Sequence, residues 1–162
     1  MMILGMTTEG QYTCLTARGD VREGMHKPDR IILGLGMHEV MMKRIWVDAH
    51  LTDEQNIIFL RHHMSDKNTY LDYECIKQDQ GRVLLHVYEA SRMLIQNYIK
   101  RYRLVRKNVC IETSLHGMGR ALIKHYALSK YPFHCIAFLE HEVRFSVHHE
   151  TTLKYYQSES LH

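Results

Sequence analysis

The sequence predicts an α+β fold in which an antiparallel or mixed sheet carries helices on one face. Short apolar or alternating runs occur in pairs, and turn residues separate the members of each pair, which is typical of hairpin strands. Each of the first two pairs is followed by a segment with the apolar spacing of a helix. The predicted order of elements is β-β-α-β-β-α-β-α-β-β. Strand pairs that are each followed by a helix favour this class over a parallel sheet.

The length of the chain predicts one domain. A chain of 162 residues is long enough to bury a core that needs no disulfide or metal. Residues 1–28 are weakly patterned and are predicted to form a weakly structured leader, residues 29–157 a single α+β domain, and residues 158–162 a tail.

The first predicted strand pair lies directly after the leader. Residues 30–35 (RIILGL) and 40–47 (VMMKRIWV) read as strands, and residues 36–39 supply a turn between them, so a hairpin is predicted. Thr52 is a good N-cap for the following helix, and Gln55 at the third helical position completes a capping box. The apolar face of this helix is predicted to consist of Ile57, Ile58, Phe59 and Leu60.

The second strand pair has the clearest alternation. Residues 71–77 and 82–88 are predicted to form a hairpin, with a turn at Asp79, Gln80 and Gly81. A helix is predicted over residues 89–102. In the remaining chain, Ser114 caps a predicted helix that reaches residue 129. Further strands are predicted at residues 108–112, 133–139, 142–147 and 151–156.

The charge pattern bears on whether the protein binds nucleic acid. The net charge of +3 is mild, and the densest basic run lies at Lys100, Arg101, Arg103, Arg106 and Lys107. A solvated helix end explains that run because cations suit the negative end of the helix dipole. A basic nucleic-acid-binding domain is the alternative reading, although no nucleic-acid partner is expected.

The cellular compartment is predicted to be a reducing cytoplasm. The four cysteines are widely spaced, and three of them have apolar neighbours, as buried free thiols do. Neither a signal sequence nor an apolar run of membrane-spanning length is evident.

The 13 histidines raise the possibility of a metal site. The best candidates for metal ligands are His141, His148 and His149, in the predicted C-terminal hairpin. His148 and His149 are adjacent, so on a strand they point to opposite faces, which opposes joint ligation of one ion. A metal-dependent enzyme or metal-binding protein that uses this hairpin is therefore the second functional hypothesis.

The sequence contains no complete catalytic constellation. Gly117 and Gly119 resemble a phosphate loop only superficially, and close packing of a helix start explains them as well. Asp72 and Glu74 face the same way on one strand, and paired carboxylates can perform acid–base catalysis. Carboxylates on a solvent-exposed strand face have the same arrangement, so the pair does not by itself indicate catalysis. No catalytic residue is assigned, and we expect a protein-binding module rather than an enzyme.

Four ordered segments resemble the PilM family of type IV pilus assembly proteins, over roughly residues 30–125. The LTDEQ motif at Leu51–Gln55 is similar to the family's helix start, and YLDYECI is similar to its L-D-[FY] strand. The passages RVLLHVYEASRMLIQNYI and NVCIETSLHGMGRAL resemble the family's next strand-to-helix steps.

This resemblance implies a small subdomain inserted in an actin-like fold, shared in outline with the division protein FtsA. It implies a cytoplasmic scaffold, peripheral at the inner membrane, that binds the short cytoplasmic tail of a PilN-like membrane partner in pilus or competence machinery. The family's two D-I-G phosphate loops are absent, and only Ile3-Leu4-Gly5 stands where the opening strand is expected. No ATP or other cofactor is therefore expected, and surface left uncovered by missing subdomains predicts self-association.

Overall fold

The computed structural model describes residues 3–7, 12–15, 21–22, 30–63, 67–104, 109–126, 128, 132–138, 142–150 and 152–160. Side chains are described from residue 31 onward within these ranges, apart from that of residue 125. The chain forms two compact units, Met1–Ser114 and Leu115–His162. Three helices occur in the described part of the chain together with antiparallel and parallel strand pairs, which confirms the α+β class.

A five-stranded sheet forms the base of the first unit. Its strands are β1 (Ile3–Thr7), β2 (Tyr12–Leu15), β3 (Val21–Arg22), β4 (Arg30–Leu35) and β8 (Val109–Thr113). The spatial order is β3-β2-β1-β4-β8. The strands β1, β2 and β3 form an antiparallel meander, whereas β4 pairs in parallel with both β1 and β8. The chain between β4 and β8 is therefore a long excursion between two parallel neighbours.

The predicted leader differs from the structure because β1, β2 and β3 lie within residues 1–28. The strands are short, and the parallel pairing of β1 with β4 joins residues that are far apart in sequence. Local patterning cannot report such a pairing, since it depends on tertiary context. The resemblance led us to expect that the family's opening strand is missing. The segment ILGMT nevertheless forms an opening strand, although without a D-I-G motif.

The predicted hairpin of residues 30–35 and 40–47 is wrong. Both segments are strands, but β4 and β5 (Val40–Asp48) belong to different sheets. A single 3-10 turn (Met37–Glu39) joins them, and the Gly36 amide donates to Glu39 Oε2 at 2.8 Å. β4 cannot pair with β5 because β1 and β8 already occupy both of its edges.

A three-stranded antiparallel sheet forms most of the excursion. In this sheet β7 (Arg82–Ser91) lies between β5 and β6 (Thr69–Asp79). The predicted β6–β7 hairpin is confirmed, with Gln80 and Gly81 in its turn at φ values of 45° and 78°. Two successive positive φ angles are the signature of the tight hairpin turn that matches strand twist.

Two helices follow strands of this sheet, as predicted. The helix α1 covers Asp53–His63, and its capping box is confirmed: the Gln55 amide donates to Thr52 Oγ1 at 3.3 Å, and the Thr52 amide donates to Gln55 Oε1 at 2.9 Å. The helix α2 covers Arg92–Arg101, and the Leu94 amide donates to the Ser91 cap. Thus α2 begins later than predicted, because β7 continues to Ser91.

Two apolar clusters hold the first unit together. One cluster joins β4, β5, β7 and α2, and its buried members are Leu33, Leu35, Val40, Ala90 and Ile95. The other packs α1 against the β5–β7–β6 sheet, and its buried members are Val47, Leu60, Leu85 and Val87. The prediction of an apolar face on α1 is wrong for Ile58, which is 64% exposed, whereas Leu60 is fully buried.

The second unit consists of one helix and a three-stranded antiparallel sheet. The helix α3 covers Ser114–Tyr126, and the strands are β9 (Phe133–Phe138), β10 (Glu142–His149) and β11 (Thr152–Ser160). Their order is β11-β10-β9, which confirms the predicted final hairpin pairing and the additional strand. The predicted tail at residues 158–162 differs, since β11 reaches Ser160.

Candidate interaction surfaces

The candidate metal ligands do not form a cluster in the described part of the chain. His141 lies outside the described residues. His148 is buried, with its Nε2 3.0 Å from Ser146 Oγ and its ring stacked on Phe133 at a centroid distance of 5.1 Å. His149 follows it on β10 and is partly buried. Nowhere within the described residues do three or more His, Cys, Asp or Glu side chains meet in a metal-binding arrangement.

The environment of His148 explains one of the two glycines in α3. A Cβ atom on Gly119 would lie 2.5 Å from His148 Nδ1, so the helix backbone approaches the imidazole closely. The sheet face that carries His148 also contacts α3 through Cys135, whose Sγ donates to Met118 Sδ at 3.8 Å. These contacts favour the packing role predicted for Gly119. The prediction that Ser114 caps α3 is wrong. The helix begins at Ser114 itself, and the buried Oγ of Ser114 has no hydrogen-bond partner among the described residues.

The opposite face of the β9–β10–β11 sheet, here called the open face, is apolar. Because side chains alternate along a strand, His134, Ile136 and Phe138 lie opposite Cys135. Ile136 is 58% exposed and Phe138 is 77% exposed. Across the register they meet Phe145 and Val143 of β10. The open face therefore carries large apolar side chains in contact with solvent.

Aromatic contacts order the middle of the open face. The His134 ring meets the Phe145 ring edge-on at a centroid distance of 5.6 Å, and Phe145 meets Tyr155 of β11 in the same manner at 5.9 Å. Edge-to-face pairs of this kind contribute about 0.5–1.5 kcal/mol beyond their buried area. The open face is consequently a fixed platform across three strands rather than a set of isolated apolar residues.

A polar network lies on the β5–β7–β6 sheet and was not predicted as a unit. Arg44 Nε donates to His86 Nε2 at 2.8 Å, and His86 Nδ1 lies 3.5 Å from the Tyr88 hydroxyl. That hydroxyl donates to Glu74 Oε1. The sheet register places Arg44, His86 and Glu74 side by side on three strands, although only the Asp72–Glu74 pair was visible in the sequence. Asp72 instead accepts from the Tyr73 amide.

The electrostatics of this network keep its phenol protonated. Burial, and then the hydrogen bond to Glu74, raises the pKa of Tyr88 far above its ordinary value. The phenol therefore keeps its proton and donates a hydrogen bond to Glu74. His86 is fully buried, and its Nε2 accepts a hydrogen bond from Arg44. The arrangement satisfies buried polar groups, which is the role that such networks usually have.

The basic run predicted at the end of the second helix occupies that position. α2 ends at Arg101, and Lys100, Arg101 and Arg103 are exposed, with the Arg101 guanidinium 5.5 Å from the Tyr102 ring centroid. Arg106 and Lys107 lie outside the described residues. The described cations thus occupy the negative end of the helix dipole, which favours the solvated helix-end interpretation.

No helix in the part of the chain that the structure describes is both long and apolar enough to cross a membrane.

No protein-family model and no curated protein matches the sequence. Solved structures do match, at low sequence identity. A Bacteroides thetaiotaomicron protein with an actin-like ATPase fold and unknown function matches with a TM-score of 0.54 and 8% identity, over 99% of this chain and 70% of that chain.

Two further solved structures are similar to this chain. A chain of the PilM–PilN type IV pilus biogenesis complex matches with a TM-score of 0.59 and 10% identity, over 82% of this chain and 43% of that one. The cytoplasmic domain of EpsL, an inner-membrane component of the Vibrio cholerae type II secretion system, matches with a TM-score of 0.54 and 10% identity, over 99% of this chain and 70% of that one. This chain therefore shares their fold, while it spans only part of their length.

Proposed function

We propose that this chain is a non-enzymatic scaffold domain that binds the cytoplasmic tail of an inner-membrane protein in a pilus or secretion machine. The observation that carries the proposal is the fold shared with both a chain of the PilM–PilN complex and the cytoplasmic domain of EpsL. These two solved structures come from different systems, a type IV pilus complex and a type II secretion system, and they share this fold. A PilN-like tail is the specific partner that we propose, in the cytoplasm beside the inner membrane.

The open face supports a binding role. Ile136 and Phe138 are exposed apolar side chains on a sheet whose other face packs against α3. Contiguous exposed apolar surface on a soluble domain commonly marks a site of protein interaction. Self-association through such surface is a further proposal, and sedimentation equilibrium of the purified chain tests it.

We also propose that the scaffold works without nucleotide. The opening strand β1 is present, but its sequence ILGMT lacks the aspartate and the D-I-G pattern of the resembled family. A phosphate loop needs small residues and backbone amides that approach the phosphate closely.

The test measures both properties on one sample. Fluorescein-labelled peptides that span the cytoplasmic tails of inner-membrane pilus and secretion proteins are titrated with the purified full chain, and anisotropy is recorded. Scrambled peptides of the same composition are the controls. Binding of a fluorescent ATP analogue is measured in parallel. Saturable binding of one tail peptide, without ATP binding, is the expected result. Failure of every tail peptide to bind overturns the scaffold proposal, and binding of the ATP analogue overturns the proposal that the scaffold works without nucleotide.

A further inference from the structure

Two sulfur atoms face each other between α3 and the sheet of the second unit. Cys135 on β9 and Met118 on α3 lie with their Sγ and Sδ atoms 3.8 Å apart. Neither side chain is fully buried, so the pair lies at the rim of the helix–sheet contact. Thiolate and thioether sulfurs are the soft ligands that suit Cu(I). Thioethers are not among the usual ligands of zinc, so the donor types favour Cu(I) over Zn²⁺.

The separation of the two sulfurs fits ligands of a single ion. A bond between a metal ion and a cysteine sulfur is about 2.3 Å long. Two such bonds whose ends are 3.8 Å apart enclose an angle of about 110° at the ion. A linear ion with two ligands would instead hold its sulfurs about 4.6 Å apart. The observed distance therefore matches an ion with three or four ligands, which requires a further donor atom.

The imidazole of His148 is a nitrogen donor on the same face of the sheet. Its Nε2 lies 3.0 Å from Ser146 Oγ, and Ser146 is paired with Cys135 across β9 and β10. Paired residues of antiparallel strands project from the same face. At its other nitrogen the ring touches Gly119, the residue after Met118. The imidazole thus reaches from the helix segment beside Met118 to the strand position opposite Cys135.

The contacts of His148 also hold the ring in one orientation. It is buried, and it stacks on Phe133 at a centroid distance of 5.1 Å. Residues that fix the orientation of a metal-binding histidine contribute to the affinity of a metal site. Of the three histidines that the sequence suggested as metal ligands, His148 is the one that lies beside a thiol and a thioether.

We infer that Met118, Cys135 and His148 bind one Cu(I) ion. The Cys135 thiol releases its proton to solvent as its sulfur binds the ion, and the thioether and imidazole each donate a lone pair. His148 Nε2 exchanges its contact with Ser146 for the ion, and copper keeps its oxidation state throughout. The ion links α3 to β9 and β10, so binding stabilises the second unit. This site goes beyond the proposed scaffold function and does not depend on a membrane partner.

The affinity of the site is measured by competition for Cu(I) under anaerobic conditions. The full chain takes the ion from its coloured complex with bicinchoninate, and the loss of colour reports binding. The reference protein carries Cys14→Ser, Cys75→Ser and Cys110→Ser, because other thiols also bind Cu(I). We expect one ion per chain. If the reference protein does not fold, the same comparison uses the wild-type chain with one equivalent of Cu(I). Absence of Cu(I) binding overturns the inference.

The Met118→Leu variant separates ligation from packing. It removes the thioether at nearly constant volume, so the helix–sheet contact is retained. Met93→Leu on α2 is the matched control, since Met93 is 71% exposed. We expect Met118→Leu to weaken Cu(I) binding at least about tenfold, the lower end of what loss of even an outer-shell partner costs. The control should change it less than about twofold. Equal binding by Met118→Leu and the reference protein means an adventitious thiol complex and overturns the inference.

X-ray absorption of the copper-loaded reference protein gives a readout that packing alone does not change. We expect two sulfur ligands and one histidine nitrogen around the copper. A copper ion with a single sulfur, or without a histidine nitrogen, overturns this ligand set. Competition with excess Zn²⁺ tests the class of metal, because the thioether favours Cu(I). Displacement of Cu(I) by Zn²⁺ overturns the assignment of the site to Cu(I).

Discussion

Gly119 and His148 are packed so closely that a Cβ atom on Gly119 would lie 2.5 Å from His148 Nδ1. The imidazole cannot move away freely, because its Nε2 lies 3.0 Å from Ser146 Oγ and its ring stacks on Phe133. The contact fixes α3 against the sheet of the second unit, and it gives His148 a packing role.

The variant Gly119→Ala is expected to destabilise the protein. Overpacking a close contact costs about 1–3 kcal/mol, whereas the gain in helix propensity from glycine to alanine is at most about 1 kcal/mol. We therefore expect a net loss of up to about 2 kcal/mol in the free energy of unfolding, measured by urea denaturation. The double variant Gly119→Ala/His148→Ala is the control, and its loss should be smaller than the sum of the single losses. Strict additivity would contradict the contact.

Thr52 is expected to stabilise α1 through its capping hydroxyl. Its Oγ1 accepts from the Gln55 amide at 3.3 Å. Thr52→Ala removes this acceptor and should cost about 1 kcal/mol of stability. Thr52→Ser retains the hydroxyl, so its unfolding midpoint should remain close to that of the wild type. Equal losses for both variants would show that the methyl group, and not the cap, is responsible.

Leu60 and Ile58 provide a matched pair on one helix. Leu60 is fully buried against Leu85 and Val87, whereas Ile58 is 64% exposed. Leu60→Ala should cost about 2–5 kcal/mol, since it removes buried surface and leaves a cavity. Ile58→Ala should change stability by less than about 0.5 kcal/mol. Thermal unfolding of both variants measures the difference, and similar losses would contradict the orientation of α1.

The network around Tyr88 predicts a specific alkaline response. Burial and the hydrogen bond to Glu74 raise the pKa of Tyr88 in the folded state, whereas in the unfolded chain a tyrosine ionises near about pH 10. Below that pH both states keep the proton, and the contribution of Tyr88 is complete. Above it the unfolded state alone loses the proton, so stability falls by about 1.4 kcal/mol for each pH unit.

The measurement compares wild type with Tyr88→Phe by urea denaturation between pH 8 and pH 11. The wild type should be the more stable protein at pH 8, and its advantage should shrink above about pH 10. Subtracting the two curves cancels the other tyrosines, including Tyr73, whose pKa burial and Asp53 also raise. A constant difference across the range would mean that Tyr88 ionises equally in both states.

Local chemistry made part of the fold predictable. The β6–β7 hairpin follows from strand alternation around Gln80 and Gly81, and the α1 capping box follows from Thr52 and Gln55. Non-local pairing was not predictable: the apolar run of β4 fits a hairpin strand as well as a parallel one. Only the tertiary contacts of β1 and β8 decide between them.

The candidate site was less predictable than the fold. The Arg44–His86–Glu74 alignment depends on the register of three strands, and a shift of one residue would move each side chain to the other face. The exposure of Ile136 and Phe138 likewise depends on which face of the sheet α3 covers. One sequence signal was available: β9 lacks the charged residues that the other edge strands contain.

The most direct test of the scaffold function is membrane recruitment in cells. The full chain is produced with and without inner-membrane pilus or secretion proteins of its own organism, and the membrane and soluble fractions are compared. We predict that the chain sediments with the inner membrane only when a partner with an intact cytoplasmic tail is present, and that deletion of this tail releases it. A chain that stays in the soluble fraction beside every such protein, or sediments equally without them, would contradict the scaffold function.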